Sequence, residues 1–221
     1  MNQLLNRTFK TVALLGALAT MGAAQAGPTP TLKSVSGGLG VLDTSTGLEW
    51  VQDWNLAKTS GFDSDGRMTW SQSVAWIAKL NTEKYAGHSD WRLAKSDYCG
   101  GFNCTGSEMG HLFYEALGGK PGQSILNPAG DSQAEMDNLK LFKNVQSYYY
   151  WSGTSYPSDS GGAWGFGTSD GYQSYGGRGN SLYALAVRPG DVTAAVPEPQ
   201  TLALTLMALT GALLARRRRA L

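Results

Sequence analysis

The sequence predicts an α+β domain, on three observations. An early stretch, "VLDTSTGLEWVQD", has the pattern of a strand hairpin. Two central stretches, "MTWSQSVAWIAKLN" and "TGSEMGHLFYEALGG", carry apolar residues at helical spacing behind capping residues. The last third is rich in Tyr, Trp, Gly and Ser, with the short runs and glycine breaks of strands. Strands come first, then helices, then strands again. That order is α+β and not alternating βαβ.

Each element has a local reason. Val41 and Leu42, a polar turn ending at Gly47, and Leu48 to Val51 read as a hairpin. "GFDSDGRM" reads as a loop. Thr69 and Gln72 stand at capping-box spacing, Trp70, Val74, Ile77 and Ala78 fall on one helical face, and Leu80 and Asn81 close the helix. "YAGHSDWRLA" reads as a turn leading into a short strand or extended segment. Thr105 and Glu108 repeat the capping-box spacing. Met109, Leu112, Phe113, Ala116 and Leu117 then recur at helical period, and Gly118 is the stop. Residues 119–140, with Pro121, Gly122, Pro128 and Gly130, read as a long loop with one helical turn near "SQAEMDNLK". "SYYYWSGTSY", "GAWGFGTSDGYQSYGG" and "SLYALAVRPG" supply three or four strands separated by glycine turns.

The two ends read as addresses. Arg7 and Lys10 precede the apolar "TVALLGALATMGAA", and Ala24, Gln25 and Ala26 supply a cleavage site, so residues 1–26 read as a signal peptide. At the other end Pro197, Glu198 and Pro199 precede an apolar segment, 201–215, and the run Arg216, Arg217, Arg218 and Arg219. The prolines exclude regular helix before the segment. Its fifteen residues approach the length of a membrane span, and the arginines are expected on the cytoplasmic side. This order of parts resembles the PEP-CTERM sorting signal of Gram-negative bacteria. The resemblance implies an exosortase as partner at residues 196–221, transient anchoring in the membrane through the tail helix, and then release to the cell surface or extracellular matrix. A plain C-terminal membrane anchor is the alternative.

Residues 27–195 remain as one domain. The formal net charge of +1 for the whole chain hides its character. Of 18 basic residues, two fall in the leader and four in the tail, leaving twelve; of 17 acidic residues only Glu198 lies outside the domain, leaving sixteen. The domain is therefore near −4, and a mildly acidic domain without a basic cluster argues against nucleic acid as a partner. Cys99 and Cys104, in "CGGFNC", are expected to form a disulfide in an exported protein. Zinc at these cysteines would need two further ligands, and the chain has only His88 and His111.

Candidate binding residues come from the aromatic end. Tyr148, Tyr149, Tyr150, Trp151, Trp164, Tyr172, Tyr175 and Tyr183 lie within 36 residues. Flat rings with polar tips suit sugars and protein partners alike. Alternation places Tyr148 and Tyr150 on one strand face and Tyr149 and Trp151 on the other, one pair being core. Trp151 and Trp164 also fit core positions. Tyr172, Tyr175 and Arg178, in a glycine loop, are the main candidates for a ligand-binding surface, joined by Tyr149 and Trp164. Asp63 and Asp65, before Gly66, match the start of a calcium loop, but position twelve from Asp63 is Val74 instead of glutamate. A turn leading into the helix cap explains them as well, and no cofactor is expected. Arg92 is expected half-buried and paired with Asp90 or another carboxylate, and Glu49 in a similar structural role. No GxSxG, HExxH or phosphate-binding loop occurs, so catalysis is not expected.

An ordered set of segments resembles the Lcl C-terminal-domain family: "TGLEW", "MTWSQSVAWIAKLN", "YAGHSDWRLA", "YYYWSGT", "AWGFGTSDGY" and "ALAVRPG". They span about residues 38–190. The family usually has WRLP where this chain has Ala94 after Trp91, Arg92 and Leu93, which is expected to loosen the turn. The resemblance implies a single C-type-lectin-like domain with two helices and a strand-rich C-terminal half. It implies adhesion or polysaccharide binding at the surface or in the matrix. A structural matrix protein acting by self-association, or a hydrolase of exopolysaccharide, is the alternative.

Overall fold

A computed structural model of the chain describes residues 29–191. The predicted leader, residues 1–26, and the predicted sorting tail, residues 196–221, lie outside the described residues. Among the described residues no helix is long and apolar enough to cross a membrane.

The domain is α+β. Its first sheet has five strands in the order β1-β2-β3-β9-β4: β1 (Leu32–Val35), β2 (Gly40–Asp43), β3 (Leu48–Val51), β4 (Arg92–Leu93) and β9 (Ala186–Pro189). All its pairings are antiparallel. The second sheet has four strands in the order β7-β6-β5-β8: β5 (Tyr149–Ser155), β6 (Gly162–Gly167), β7 (Gln173–Gly177) and β8 (Tyr183–Ala184). Here β8 runs parallel to β5 and the other pairs are antiparallel. The predicted β2–β3 hairpin forms, with Gly47 at φ 70° as its turn demands. The closing segment "SLYALAVRPG" is not one strand. Its first half, β8, finishes the second sheet; Leu185 crosses; its second half, β9, enters the first between β3 and β4.

Four α-helices are described, where two and one extra turn were expected. The first, α1 (Leu56–Thr59), is a single turn after β3. The second, α2 (Trp70–Thr82), opens with the predicted capping box between Thr69 and Gln72. Its buried face is Ser73, Trp76, Ile77 and Leu80; Val74 and Ala78 face solvent. The stripe is thus rotated about one residue from the predicted one, because the indole of Trp76 takes the inward position. In α3 (Glu108–His111) the cap is Ser107, whose Oγ accepts from the Gly110 N–H at 3.0 Å, and not Thr105. A π turn, Leu112–Ala116, continues this helix. Met109, Leu112, Phe113, Ala116 and Leu117 are all buried as the period required, and Gly118 ends the run at φ 72°. The predicted turn near "SQAEMDNLK" is α4 (Gln133–Leu139), with a capping box between Ser132 and Glu135.

The core is aromatic. Trp50, Trp54, Trp76, Trp151 and Tyr150 are each at most 1% exposed. Trp54 meets Phe142 and Tyr150 edge-on at 5.3 and 5.5 Å, an arrangement aromatic pairs favour. Both faces of β5 are covered at its middle, so Tyr150 and Trp151, neighbours pointing opposite ways, are both core. The expectation of one buried pair on one face is therefore corrected: each face contributes one core residue. Ala94 is buried, and its carbonyl accepts from the Gly153 N–H at 2.8 Å and the Ser152 hydroxyl at 2.9 Å. Those two bonds, which use only the backbone carbonyl, hold the turn after β4 against β5.

Candidate binding cleft

The second sheet ends at β7, and the aromatic residues converge there. Residues opposite each other in an antiparallel pair share a face. Trp164 of β6 lies opposite Tyr175 of β7, and Phe166 lies opposite Gln173. On this face Tyr156, from the β5–β6 turn, stacks on Tyr175 with ring centroids 3.7 Å apart and planes 8° from parallel. Trp164 meets both rings edge-on, at 5.5 and 6.1 Å. Tyr175 is 52% exposed, Tyr172 is 38% and Tyr98 is 71%, while Trp164 is only 4%. Together with Gln173 these rings line a cleft of about 520 Å³.

The disulfide loop builds one wall. Cys99 and Cys104 are bonded as expected. Between them Gly101 exchanges two backbone hydrogen bonds with Gln173, at 2.9 and 2.8 Å, so the loop pairs with the outer edge of β7. The Gln173 side chain reinforces this. Its Nε2 donates to Asp97 Oδ1 at 2.9 Å and to the Cys99 carbonyl at 2.6 Å. Phe102 in the same loop stands edge-on to Tyr172 at 5.0 Å. Two buried polar atoms of the cleft residues, Trp164 Nε1 and Gln173 Oε1, have no hydrogen-bond partner among the described residues.

A second groove, of about 240 Å³, adjoins the same strand. Tyr149, Trp151 and Gly165 contribute from the opposite face, and Tyr172, Ser174 and Tyr175 line both spaces. Gly165 lines the groove, and a Cβ there would stand 3.1 Å from the Tyr150 carbonyl oxygen. The Tyr149 hydroxyl lies 3.4 Å from Asp170 Oδ2, and burial together with that carboxylate pushes its phenol up from the usual value.

Four of the five predicted binding residues thus come together: Tyr172, Tyr175 and Trp164 in the cleft, and Tyr149 in the adjoining groove. Arg178 does not join them. Its guanidinium lies 4.2 Å from the centroid of the Trp70 ring and donates to the Gly162 carbonyl and the Ser155 hydroxyl. It ties the β5–β6 hairpin to the start of α2 and lines neither space. Tyr156 and Tyr98 were not singled out from sequence, although each is an aromatic residue beside a turn or loop. Asp63 Oδ1 accepts from the backbone N–H groups of Asp65 and Gly66 at 3.0 and 2.7 Å, which makes it a turn residue. Asp65 pairs with Arg67 at 2.8 Å. Among the described residues no group of three or more His, Cys, Asp or Glu side chains could hold a metal ion.

The charged residues elsewhere form clamps. Arg92 is held by Glu108 through two bonds of 2.7 Å, and not by Asp90. Asp90 instead joins Glu49 and Asp191 around Arg188, at 2.7, 2.7 and 3.1 Å. Burial opposes the Arg188 charge, but bonds from Asp90, Asp191 and Glu49 outweigh it and raise its pKa above the usual value. Asp43 is 1% exposed with His111 Nε2 3.4 Å away. Burial pushes its carboxyl up, yet His111, Ser45 and Thr46 together hold it down at about 2. Asp43 in turn raises the His111 imidazole above its usual value.

Residues 40–99 match the family model of the Lcl C-terminal domain. No curated protein matches the chain. The Lcl C-terminal match runs from β2 to Cys99 and so covers the first-sheet hairpin, α1, α2 and β4. Of the cleft residues it includes Tyr98; Tyr156, Trp164, Tyr172 and Tyr175 follow it.

Proposed function

We propose that this chain is an exported, non-catalytic binding protein of the cell surface or extracellular matrix, which holds polysaccharide in the aromatic cleft at the β7 edge. The observation that carries this reading is the cleft itself: four half-exposed or exposed tyrosines around a buried tryptophan, fixed from behind by a disulfide loop. Flat aromatic faces with polar tips bind sugar rings through their C–H faces and hydroxyls. The Lcl C-terminal match points the same way, toward an adhesin-like protein that is surface-exposed or secreted. The domain over residues 27–195 is read as C-type-lectin-like, and no carboxylate or histidine lines the cleft to support hydrolysis.

The ends complete the proposal. Residues 1–26 direct export, and the PEP-CTERM-like tail at 196–221 engages an exosortase and anchors the chain in the membrane before release. The test is binding of the full chain to an array of bacterial and host polysaccharides, with calcium and with chelator. Specific binding that Tyr172→Ala and Tyr175→Ala abolish, with the melting temperature nearly unchanged, is the expected result. Loss in chelator would return Asp63 and Asp65 to consideration as calcium ligands. A blank array with concentration-dependent oligomerisation would replace the reading with a self-associating matrix protein.

A further inference from the structure

We infer that the cleft takes an uncharged polysaccharide, held by ring stacking and by sugar hydroxyls that serve the unpartnered Trp164 Nε1 and Gln173 Oε1. This rests on the binding reading above and names the ligand class. Three observations carry it.

The first is the lining. The cleft is walled by tyrosine, tryptophan, glutamine, serine, glycine and proline, with no side chain that is charged at neutral pH. A uronate or sulfate entering it would lose water and gain no counter-ion, a costly exchange. The arginine nearest in sequence, Arg178, is already committed to Trp70, Gly162 and Ser155. The domain as a whole is acidic, which repels polyanions at longer range.

The second is the pair of unpartnered atoms. Trp164 and Gln173 are 4% and 0% exposed, and each leaves one polar atom without a partner among the described residues. The indole can only donate. The orientation of the Gln173 amide is set by its partners: Asp97 Oδ1 and the Cys99 carbonyl are both acceptors, so the amine faces them and Oε1 faces away. A free donor and a free acceptor can both be served by hydroxyls, which accept as well as donate. An anionic oxygen could satisfy only the indole, since it carries no proton for the amide oxygen.

The third is access. Both atoms are shielded from solvent here, and the stacked rings of Tyr156 and Tyr175 stand edge-on against Trp164. Tyr175 is half-exposed, and exposed side chains change rotamer on the picosecond to nanosecond scale. Rotation of its ring off Tyr156 would free a face for a sugar to stack on.

The experiment is biolayer interferometry of the full chain against immobilised neutral glucan and galactomannan, and against alginate and polygalacturonate, at low and high salt. The expected result is binding to a neutral polymer whose Kd changes less than about twofold with salt, since no ion pair is there to be screened. Trp164→Phe keeps the ring and removes the donor; it should weaken binding about tenfold, the loss of one buried hydrogen bond. Tyr175→Ala gives a second reading outside the core and should abolish binding without loss of fold. Binding confined to alginate or polygalacturonate, falling steeply with salt, would overturn the inference while leaving the polysaccharide reading intact. Silence on all four polymers would overturn it, and an equally blank polysaccharide array would remove the parent reading too.

Discussion

Arg188→Ala is the substitution whose cost the structure specifies most fully. Arg188 lies on β9, opposite Glu49 on β3, and their side chains are 7% and 2% exposed. Removing the guanidinium leaves Glu49 buried, with the Ser36 hydroxyl at 2.5 Å and the His88 Nε2 at 4.0 Å as its remaining polar neighbours. An uncompensated buried charge of this kind costs about 3–5 kcal/mol. For a domain of this size that is a fall in Tm on the order of 10 °C. Asp90 and Asp191 lie mostly in water and contribute little to the loss. Thermal unfolding followed by circular dichroism measures it. The double variant Glu49→Leu with Arg188→Met should recover most of the loss, since an apolar pair of similar volume needs no counter-ion. A fall of under about 1 kcal/mol for Arg188→Ala would mean Glu49 stays hydrated, and the clamp argument would fail.

Further outcomes follow from the same geometry. The Asp43–His111 pair contributes stability in a window with two edges. Asp43 is held below its ordinary value, so its share is present above about pH 4 and is lost as pH falls toward 2. His111 is raised, so its share is present below about pH 6.5 and is lost as pH rises through its folded value. The Tm difference between wild type and His111→Asn should therefore be largest inside that window and shrink on both sides. Replacing Cys99 and Cys104 by serine should cost about 2 kcal/mol, as the short closed loop implies. It should weaken polysaccharide binding more than the Tm change suggests, because the loop supports β7. Ser107→Ala should cost about 1 kcal/mol as a lost N-cap, whereas Thr105→Ala should stay within about 0.5 kcal/mol; equal costs would contradict the cap assignment.

The sequence carried local structure well wherever one mechanism decided it. The Thr69–Gln72 cap, the Gly47 turn, the Gly118 stop and the disulfide needed only neighbouring residues, and each is present. Capping-box spacing pointed to Thr105, with Glu108 three residues on, but the helix starts two residues later and Ser107 caps it without a box, since Gly110 has no side chain to reach back. Long-range pairing was not legible. Nothing in "ALAVRPG" shows that Arg188 would meet Glu49, 139 residues away, or that β8 and β9 would serve different sheets. The cleft was read in part. Its aromatic composition identified Tyr172, Tyr175, Trp164 and Tyr149. Arg178 was misplaced because a glycine loop looks open until Trp70 covers it. Tyr98 and Tyr156 were passed over because they reach the site only through the disulfide loop and the β5–β6 turn.

The crossing at Leu185 also determines how the domain would bear a mechanical load. Chain beyond Asp191 follows directly from β9, which is clamped between β3 and β4 by backbone ladders and by Arg188. A pull from that side is taken first by this inner strand. The force passes Leu185 to reach β8, and through β8 the strand β5, only after β9 has been stripped out. The β7 edge lies two strands further on. Under such a pull the first sheet would yield before the second, and the cleft at the β7 edge would be among the last parts to feel the load.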